Sequence, residues 1–231
     1  MQSNWRTAYR SFYYDTMPDD LPDIVLDPAT TALLVIDLQV CYLPETADPD
    51  LAEWQRWAPF RERLAGTVLP NTQILLEKFR AIHREVIFAR IACITEDGRD
   101  RSLSHARPGF NNLLLPHNSA DSQILPQVAP LPQEIVITKT TDSALTGTSL
   151  RLLLANLGIR NVVVCGIFTD QCVASTVRSL ADESFNVIVV DDACAAATDE
   201  LHRAELTIIN NIYCQVLTTA ETLTSLNSNP S

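Results

Sequence analysis

Six short stretches of the chain are almost wholly apolar and rich in β-branched residues. Their apolar residues follow one another without alternation, which is typical of strands that are buried on both faces of a sheet. We therefore predict six buried strands in a parallel sheet covered by helices. These predicted strands span residues 32–36, 86–91, 135–138, 162–165, 187–190 and 213–217.

Helical patterns lie between several of these strands. Apolar residues recur at helical spacing over 64–83, and a second pattern over 149–157 ends at Gly158, a residue type that commonly follows a helix C-terminus. Thr198 is placed to cap a helix whose first turn is acidic. The last four predicted strands begin about 26 residues apart, which fits one strand plus one crossover helix. This spacing predicts right-handed parallel βαβ units.

Two segments do not follow the alternation of strands and helices. Residues 1–28 form a predicted N-terminal arm with clustered aromatic residues, and we expect it to pack on the body or on a neighbouring subunit, with a solvated tail as the alternative. Residues 29–231 form the predicted α/β domain. Its connection 94–132 is long and rich in Pro, Arg, Ser and Asn, which favours a pocket wall or lid.

The charge balance narrows the choice of partners. Lys and Arg number 17 and Asp and Glu 28, which gives a formal net charge of −11 that repels nucleic acid. No apolar run approaches the ~20 residues of a membrane helix, and the first residues show no apolar signal core. We therefore expect a cytoplasmic protein whose partner is a small-molecule substrate rather than nucleic acid or a membrane.

The spacing of glycine, cysteine and histidine argues against bound cofactors. The closest two of the six glycines are eight positions apart, so neither a dinucleotide fingerprint nor a phosphate loop can be written. No two of the six cysteines are separated by two residues, and the four histidines show no helical pairing. We expect reduced cysteines, no metal and no organic cofactor.

Candidate chemistry follows three of the predicted strands. Asp37 comes directly after the first strand, Lys139 directly after the third, and Cys172 lies in the segment that follows the fourth. Ligands of an open parallel sheet bind outside the carboxyl ends of its strands. The sequence therefore predicts that a carboxylate, an ammonium and a thiol meet at one edge.

This combination suits nucleophilic catalysis. A free thiol has a pKa of ~8.5, so a nucleophilic cysteine needs a base or a positive field. Cys172 is predicted to lie where a loop turns into a helix, whose N–H groups favour a negative sulfur, while Asp37 could accept the thiol proton and Lys139 could hold both charges. Each residue has an ordinary alternative as a core thiol, a helix cap or a solvated strand end.

Other polar and aromatic groups have weaker patterns. Arg99, Arg101 and Arg107 could bind a substrate carboxylate or ureido group, or could simply be a solvated loop. Trp54 and Trp57 could line a pocket, although packing within an amphipathic helix is favoured. For the adjacent aspartates at 191–192 a helix-cap role is favoured, because neighbouring residues of an extended segment point in opposite directions. Core positions are predicted for Cys165, Cys194 and Cys214.

Three segments, 34–39, 139–150 and 166–173, resemble in order and spacing the signature stretches of the isochorismatase-like cysteine hydrolases. Amidase-type members of that superfamily include N-carbamoylsarcosine amidase, ureidoacrylate amidohydrolase and biuret hydrolase. The resemblance implies a three-layer αβα fold with a six-stranded parallel sheet in the order 3-2-1-4-5-6, and commonly a homo-oligomer, a dimer or a tetramer. It also implies that Asp37 is the general base, Lys139 the charge stabiliser and Cys172 the nucleophile.

The same resemblance extends to the turn before the cysteine. It implies a cis peptide bond before Phe168 and an oxyanion hole made by the backbone N–H groups of Phe168 and Cys172. Substrate contacts are expected from Gln39, Tyr42, Arg101, Arg107 and Thr169.

Several departures from the family pattern bear on the substrate. Nicotinamidases of the superfamily carry an Asp-x-His metal pattern after the second strand, and residues 91–98 lack it. Leu145 and Tyr42 stand where Phe is frequent, and Phe168 is bulkier than the usual residue. We therefore expect a reshaped pocket.

The interpretation that best joins these observations is a cysteine-dependent amidohydrolase that cleaves a small linear amide or ureido C–N bond through a thioester. Two alternatives stay open. One is cofactor-free hydrolysis of an isochorismate-type vinyl ether, in which Asp37 protonates carbon and the thiol is incidental. The other is a non-catalytic oligomeric binding module with an ordinary thiol.

Overall fold

The computed structural model of the chain describes residues 8–18, 22–44, 50–108 and 112–227. Within these ranges the chain forms a six-stranded sheet, and all five neighbouring strand pairs are parallel. The strands, numbered along the chain, are β1 (Thr31–Ile36), β2 (Val86–Ile91), β3 (Ile135–Lys139), β4 (Asn161–Ile167), β5 (Asn186–Ala195) and β6 (Gln215–Leu217).

The strand order across the sheet is β3-β2-β1-β4-β5-β6. Every residue of β1 and β4 is buried, because both strands are central and covered on both faces. At the edge of the sheet, β3 is partly exposed. The order and the parallel direction confirm the predicted fold class.

Helices pack on both faces of the sheet and form the two outer layers of the fold. Helices α3 and α8 contact each other and β5, and helices α6 and α7 do the same. No helix in the described part of the chain is long and apolar enough to span a bilayer. The helices are α1 (Leu51–Arg56), α2 (Ala58–Arg63), α3 (Leu69–Ala81), α4 (Leu103–Ala106), α5 (Leu150–Asn156), α6 (Ala174–Asp182), α7 (Asp199–Ile209) and α8 (Thr219–Asn227).

The ends of two helices follow the local chemistry of their residues. Gly158 follows α5 with a φ of 69°, a left-handed conformation that glycine adopts without steric cost. The hydroxyl of Thr198 accepts a hydrogen bond from the N–H of Leu201 and so caps α7. Both predicted helix ends are therefore present.

Strand β5 extends further than its apolar run predicts. Its pairing with β4 shifts register, so that Val189 lies opposite Val164 and Cys194 opposite Gly166. The polar residues Asp191 and Asp192 lie in the irregular stretch between these pairs. An interruption of the apolar pattern therefore marks a bulge within the strand rather than its end.

The connection between β2 and β3 packs against the carboxyl end of β1. Gln39 and Ile124 form an antiparallel bridge, and the N–H of Leu125 donates to the carbonyl of Leu38 at 2.9 Å. The connection also contains α4 and a bridge between Cys93 and Pro116. It therefore lies beside the sheet edge that carries the candidate chemistry.

The described part of the N-terminal arm contacts the body at its start. Tyr9 packs against the core, and its hydroxyl donates to Oδ2 of Asp191 at 2.7 Å. The Asn210 side chain donates to the carbonyl of Ala8 at 3.0 Å. Phe12 and Tyr13 are 83% and 81% exposed, so the contact with this chain does not extend to them.

Gly166 allows β4 to approach β1 just before the candidate site. It lies opposite Ile36 with a φ of 124°, and a Cβ at this position would lie 2.0 Å from the Ile36 carbonyl oxygen. Only glycine fits this conformation and this contact. Because Gly166 has no side chain, β4 can lie close to β1 at the point where the two strands lead to Cys172 and Asp37.

Gly166→Ala should lower the free energy of unfolding by at least about 4 kcal/mol, because the new methyl group collides with backbone. Gly158→Ala is the matched control, since Gly158 also has a positive φ but has open space around its Cα. That control should cost about 1–2 kcal/mol. Urea denaturation measures both, and equal losses would contradict the role of close strand approach.

Candidate active site

The side chains of Asp37, Lys139 and Cys172 meet at the carboxyl edge of the sheet. Nζ of Lys139 lies 2.7 Å from Oδ2 of Asp37 and donates to Sγ of Cys172 at 3.2 Å. All three residues are buried, with exposed fractions of 1% for Lys139, 2% for Asp37 and 6% for Cys172. The structure therefore brings together the three groups that the strand ends predict.

Lysine suits its position because of the distance it must cover. Lys139 ends β3, and β2 separates β3 from β1, so two strand spacings of ~10 Å in total lie between Lys139 and Asp37. A long side chain can cover most of this distance. Its ammonium also donates to the carbonyl of Thr141 at 3.2 Å. With Asp37 and Cys172, this contact gives each of its three N–H groups a partner.

Burial and charge set the protonation of this cluster. Burial raises the pKa of the Asp37 carboxyl, although the nearby ammonium of Lys139 opposes that rise. Burial alone would lower the pKa of Lys139, but the charge of Asp37 and the hydrogen bonds with Asp37 and Cys172 outweigh it and leave that pKa above its ordinary value. The resting cluster therefore holds a charged ammonium.

The surroundings of Cys172 disfavour the thiolate form of its side chain. Burial raises its pKa well above the ordinary value, and the negative charge of Asp37 raises it further against the opposing effect of Lys139. Cys172 lies in a π-helical turn, Thr169–Val173, that precedes α6. Burial and the Asp37 charge together outweigh the ammonium of Lys139, so Cys172 is a thiol at neutral pH.

The turn that carries Cys172 begins at a cis peptide bond between Ile167 and Phe168. This is the bond that the resemblance places before Phe168. The carbonyl of Phe168 accepts hydrogen bonds from the N–H groups of Gln171 and Val173. These bonds fix the path of the turn on both sides of the cysteine.

Aromatic side chains pack around Phe168 on one side of this turn. Its ring centroid lies 5.3 Å from that of Tyr42, 5.0 Å from that of Phe60 and 5.9 Å from that of Trp57. Trp57 also packs edge-on against Phe60. The bulky residues at 42 and 168 therefore form an aromatic cluster with side chains from the helical segment 51–63, and Trp57 has the packing role that is favoured for it.

A second polar chain lies behind the turn. The hydroxyl of Thr169 contacts Nδ1 of His202 at 2.7 Å, and Nε2 of His202 lies 2.8 Å from Oδ1 of Asp191. The hydroxyl of Tyr9 donates to the other oxygen of Asp191. The expected substrate contact of Thr169 needs correction, because its hydroxyl is buried and bonded to His202.

The cap role favoured for the pair at 191–192 holds for one member. Oδ1 of Asp192 accepts hydrogen bonds from the N–H and the hydroxyl of Thr219 at the start of α8. Asp191 instead contacts His202 and Tyr9. His202 has no neighbouring motif in the sequence, so its contact with Thr169 depends on the packing of α7.

Asp142 and His105 are site neighbours that the strand-end pattern does not reveal. Sγ of Cys172 donates to Oδ1 of Asp142 at 3.6 Å, a long contact for sulfur, and Nε2 of His105 donates to the same oxygen at 2.9 Å. His105 is 2% exposed, whereas the Asp142 side chain is 38% exposed. The only sequence signal is that Asp142 lies three residues after Lys139.

Gln39 occupies a scaffold position rather than the substrate contact expected for it. Its amide nitrogen donates to the carbonyls of Ile91 and Ser122, both at 2.9 Å, and its oxygen accepts from the N–H of Ile91. The side chain is fully buried. These bonds join β1, β2 and the connection, which leaves its polar atoms engaged with backbone.

The arginines of the connection also differ from expectation. Arg101 donates to the carbonyls of Gly98, His105 and Leu113, so its guanidinium organises the loop instead of reaching the thiol. Arg99 is exposed and paired with Asp97. Arg107 is exposed at the end of a described range. Arg101 is therefore engaged with the loop backbone, whereas the substrate contact of Arg107 stays a prediction.

The remaining cysteines lie elsewhere. Cys165, Cys194 and Cys214 are buried core residues, as predicted. Leu145, at the position where the family often has Phe, is buried as well. In the described ranges, no three His, Cys, Asp or Glu side chains come together in a group that could hold a metal ion.

A carboxylate, an ammonium and a thiol at the carboxyl edge of a parallel sheet define an α/β protein of hydrolytic type. The family model for the isochorismatase domain matches residues 31–221. The chain therefore belongs to the isochorismatase family and is a hydrolase of that family, which confirms the resemblance seen in the sequence.

Known relatives extend over most of the chain. YecD of Escherichia coli O157:H7, an uncharacterised isochorismatase family protein, is 31% identical over 191 residues, which cover 83% of this chain and 92% of YecD. Ureidoacrylate amidohydrolase RutB of Caulobacter vibrioides is 30% identical over 220 residues, which cover 88% of this chain and 93% of RutB.

A solved structure shows the same fold. The cysteine hydrolase from Pseudomonas syringae pv. phaseolicola 1448A aligns with a TM-score of 0.74 at 24% identity, covering 90% of this chain and 98% of that protein. At this identity the likeness concerns the fold.

Lys139→Met should lower the free energy of unfolding by about 3–5 kcal/mol, because it leaves the Asp37 carboxyl buried without its partner. The double variant Asp37→Leu/Lys139→Met should recover much of that loss. Arg99→Met removes one member of an exposed pair and should cause no measurable change. Chemical denaturation compares the three variants, and a double variant as unstable as Lys139→Met would contradict this account.

Alkylation of Cys172 should accelerate only at pH values above the ~8.5 pKa of a free thiol, because burial and Asp37 disfavour the thiolate. Asp37→Asn removes the carboxylate charge and should move the profile to lower pH. Iodoacetamide labelling followed by peptide mass spectrometry measures both profiles. Rapid labelling of the wild type at neutral pH would instead indicate a preformed thiolate.

Proposed function

We propose that this protein is a cysteine-dependent amidohydrolase that cleaves a small linear amide or ureido C–N bond. The observation that carries the proposal is the contact of the Cys172 sulfur and the Asp37 carboxylate with one ammonium, that of Lys139. Thiol, base and counter-charge are the groups that acyl transfer through a thioester requires.

The first half of the reaction forms the acyl-enzyme. Asp37 takes the proton of the Cys172 thiol as the sulfur attacks the carbonyl carbon, and the carbonyl oxygen becomes an oxyanion. The C–N bond then breaks, the proton on Asp37 passes to the leaving nitrogen, and ammonia or an amine departs. Lys139 keeps its charge throughout and stabilises the carboxylate and the developing thiolate.

The second half of the reaction releases the acid. Asp37 takes a proton from water as that water attacks the thioester carbonyl, and the C–S bond breaks. The proton returns to the sulfur, which restores the resting thiol. These steps use only side chains of this chain and one water, so the proposed mechanism includes no metal or organic cofactor.

The oxyanion is assigned to the backbone N–H groups of Phe168 and Cys172. Both belong to the turn that begins at the cis bond, and the bonds to the Phe168 carbonyl hold that turn in place. Fixed backbone donors stabilise a developing oxyanion without reorganising during the reaction. The aromatic cluster around Phe168 fills the space on one side of this turn and therefore favours a small acyl group.

The name of one relative supports the ureido class within this proposal. RutB is a ureidoacrylate amidohydrolase, and its 30% identity extends across 88% of this chain. Homo-oligomer formation and a cytoplasmic location remain parts of the proposal, and sedimentation velocity tests the former. The expected contacts of Tyr42 with substrate also remain, because Tyr42 packs directly on Phe168.

Cys172→Ala should reduce ammonia release by about 10³-fold or more across a panel of small amides, carbamoyl amino acids and ureido acids. Cys214→Ala is the matched control, because Cys214 is a buried core cysteine that directly precedes β6. This variant should retain activity. Stalled wild-type enzyme should carry an acyl adduct on Cys172 by mass spectrometry.

A fully active Cys172→Ala variant would refute the thioester mechanism. Activity on an isochorismate-type vinyl ether that persists after mass spectrometry shows Cys172 fully alkylated by iodoacetamide would favour the reaction without the thiol. An inactive protein with an ordinary Cys172 thiol pKa would favour a binding module.

A further inference from the structure

A second carboxylate, Asp142, contacts the sulfur of Cys172 apart from the Asp37–Lys139 pair. The thiol reaches Oδ1 of Asp142 at 3.6 Å. The mechanism above gives Asp142 no part, because Asp37 already serves as the base. Its contact with the reacting atom nevertheless places it where the substrate must bind.

Buried His105 holds Asp142 in place. Nε2 of His105 donates to Oδ1 of Asp142, and Arg101 donates to the backbone carbonyl of His105, so the loop that carries the histidine is itself fixed. The N–H of Ser102 donates to the carbonyl of Thr140, which ties this loop to the chain just before Asp142. The carboxylate is thus oriented by two neighbouring segments.

Asp142 also lines an open groove of about 590 Å³ beside the turn that carries Cys172. The other residues that line the groove are Ser104, Asp170, Gln171, Ala174, Ser175 and Arg178. The guanidinium of Arg178 is paired with Glu205 at 2.7 Å. Asp142 therefore contacts the Cys172 sulfur and also lines a solvent-accessible groove. The arginine of that groove, Arg178, is already paired with a carboxylate.

The protonation of Asp142 suits an acceptor of hydrogen bonds rather than a base. The hydrogen bond from His105 holds the pKa of this carboxyl below its ordinary value. A carboxylate that remains ionised is a poor proton acceptor for a thiol, but it accepts hydrogen bonds strongly. Asp37, whose pKa burial raises, is the better base of the two.

We propose that Asp142 binds the N–H groups of the leaving nitrogen, and that His105 is its positioning residue. A carbonyl carbon in position for attack lies about 3–3.5 Å from the sulfur. The nitrogen bonded to that carbon then comes within hydrogen-bond reach of a carboxylate that contacts the same sulfur. The site therefore selects substrates whose leaving group carries N–H donors: primary amides and ureido groups with a terminal NH₂.

This inference rests on the proposed amidohydrolase function and adds the specificity for the leaving group. The negative charge of Asp142 stabilises the ammonium-like nitrogen that forms as Asp37 delivers its proton. An ester of the same acid presents the same carbonyl to Cys172 but has no N–H group on its leaving atom. The ratio of amide to ester hydrolysis therefore isolates the role of Asp142.

The test compares Asp142→Asn with wild type on the amide and methyl ester of one acyl group. Succinamic acid and monomethyl succinate are the first pair, and N-carbamoylglycine and N-(methoxycarbonyl)glycine are the second. In the variant, kcat/KM for the amide should fall at least 10-fold, while that for the ester changes less than 3-fold. Asp182→Asn, an exposed carboxylate at the end of α6, is the charge-matched control and should preserve the ratio.

Two further measurements separate this role from a structural one. His105→Gln retains a donor toward Asp142 and should preserve the amide-to-ester ratio, whereas His105→Leu should lower it. Asp37, Lys139 and Asp142 face the Cys172 sulfur, with His105 behind Asp142. Removing the charge of Asp142 should therefore move the alkylation profile of Cys172 to lower pH.

Equal losses on amide and ester would overturn the assignment, because Asp142 would then act on the thiol or the fold. An unchanged ratio in Asp142→Asn, or an alkylation profile moved to higher pH, would overturn it as well. Wild-type protein that cleaves neither member of either pair would overturn the proposed function and this inference together. Wild-type activity with equal losses in the variant overturns the inference alone.

Discussion

The buried ion pair between Lys139 and Asp37 is the interaction on which the candidate site depends. Each of these groups is costly to bury alone, and each makes the other tolerable. The pair also spans the sheet, because it joins the end of an edge strand to the end of a central strand across β2. One interaction therefore connects the carboxyl ends of β3 and β1 and also places a positive charge beside Cys172. A hydrophobic pair of the same size could serve the first purpose but not the second.

The surroundings of Cys172 favour a nucleophile that rests as a thiol. Burial and two carboxylates oppose its ionisation, and one ammonium favours it. In the proposed mechanism, proton transfer to Asp37 is coupled to attack, so the sulfur becomes negative only when a carbonyl is in place. Such a thiol is less exposed to oxidation and alkylation than a permanent thiolate, since reactivity follows the thiolate fraction. Asp142 adds a negative charge on the side of the groove, which is useful to a leaving amine and unfavourable to a free thiolate.

The sequence predicts the part of this site that follows from strand ends. Lys139 and Cys172 come after apolar runs, and parallel strands place their carboxyl ends at one edge, so their approach could be foreseen. The role of His105 could not, because it depends on the path of a long connection without periodicity. Gln39 and Arg101 show the opposite case: their positions near strand ends favour substrate contacts, yet the side chains of both donate to backbone carbonyls. Residue type alone does not tell whether a polar group faces a ligand or an unpaired backbone group.

The polar chain behind the turn that carries Cys172 links that turn to Tyr9 in the N-terminal arm. Tyr9 bonds to Asp191, Asp191 contacts His202, and His202 contacts Thr169, the first residue of the turn that holds Cys172. Removing Tyr9 would deprive Asp191 of the phenol hydroxyl that donates to its Oδ2. Variants prepared for kinetic work should therefore retain Tyr9.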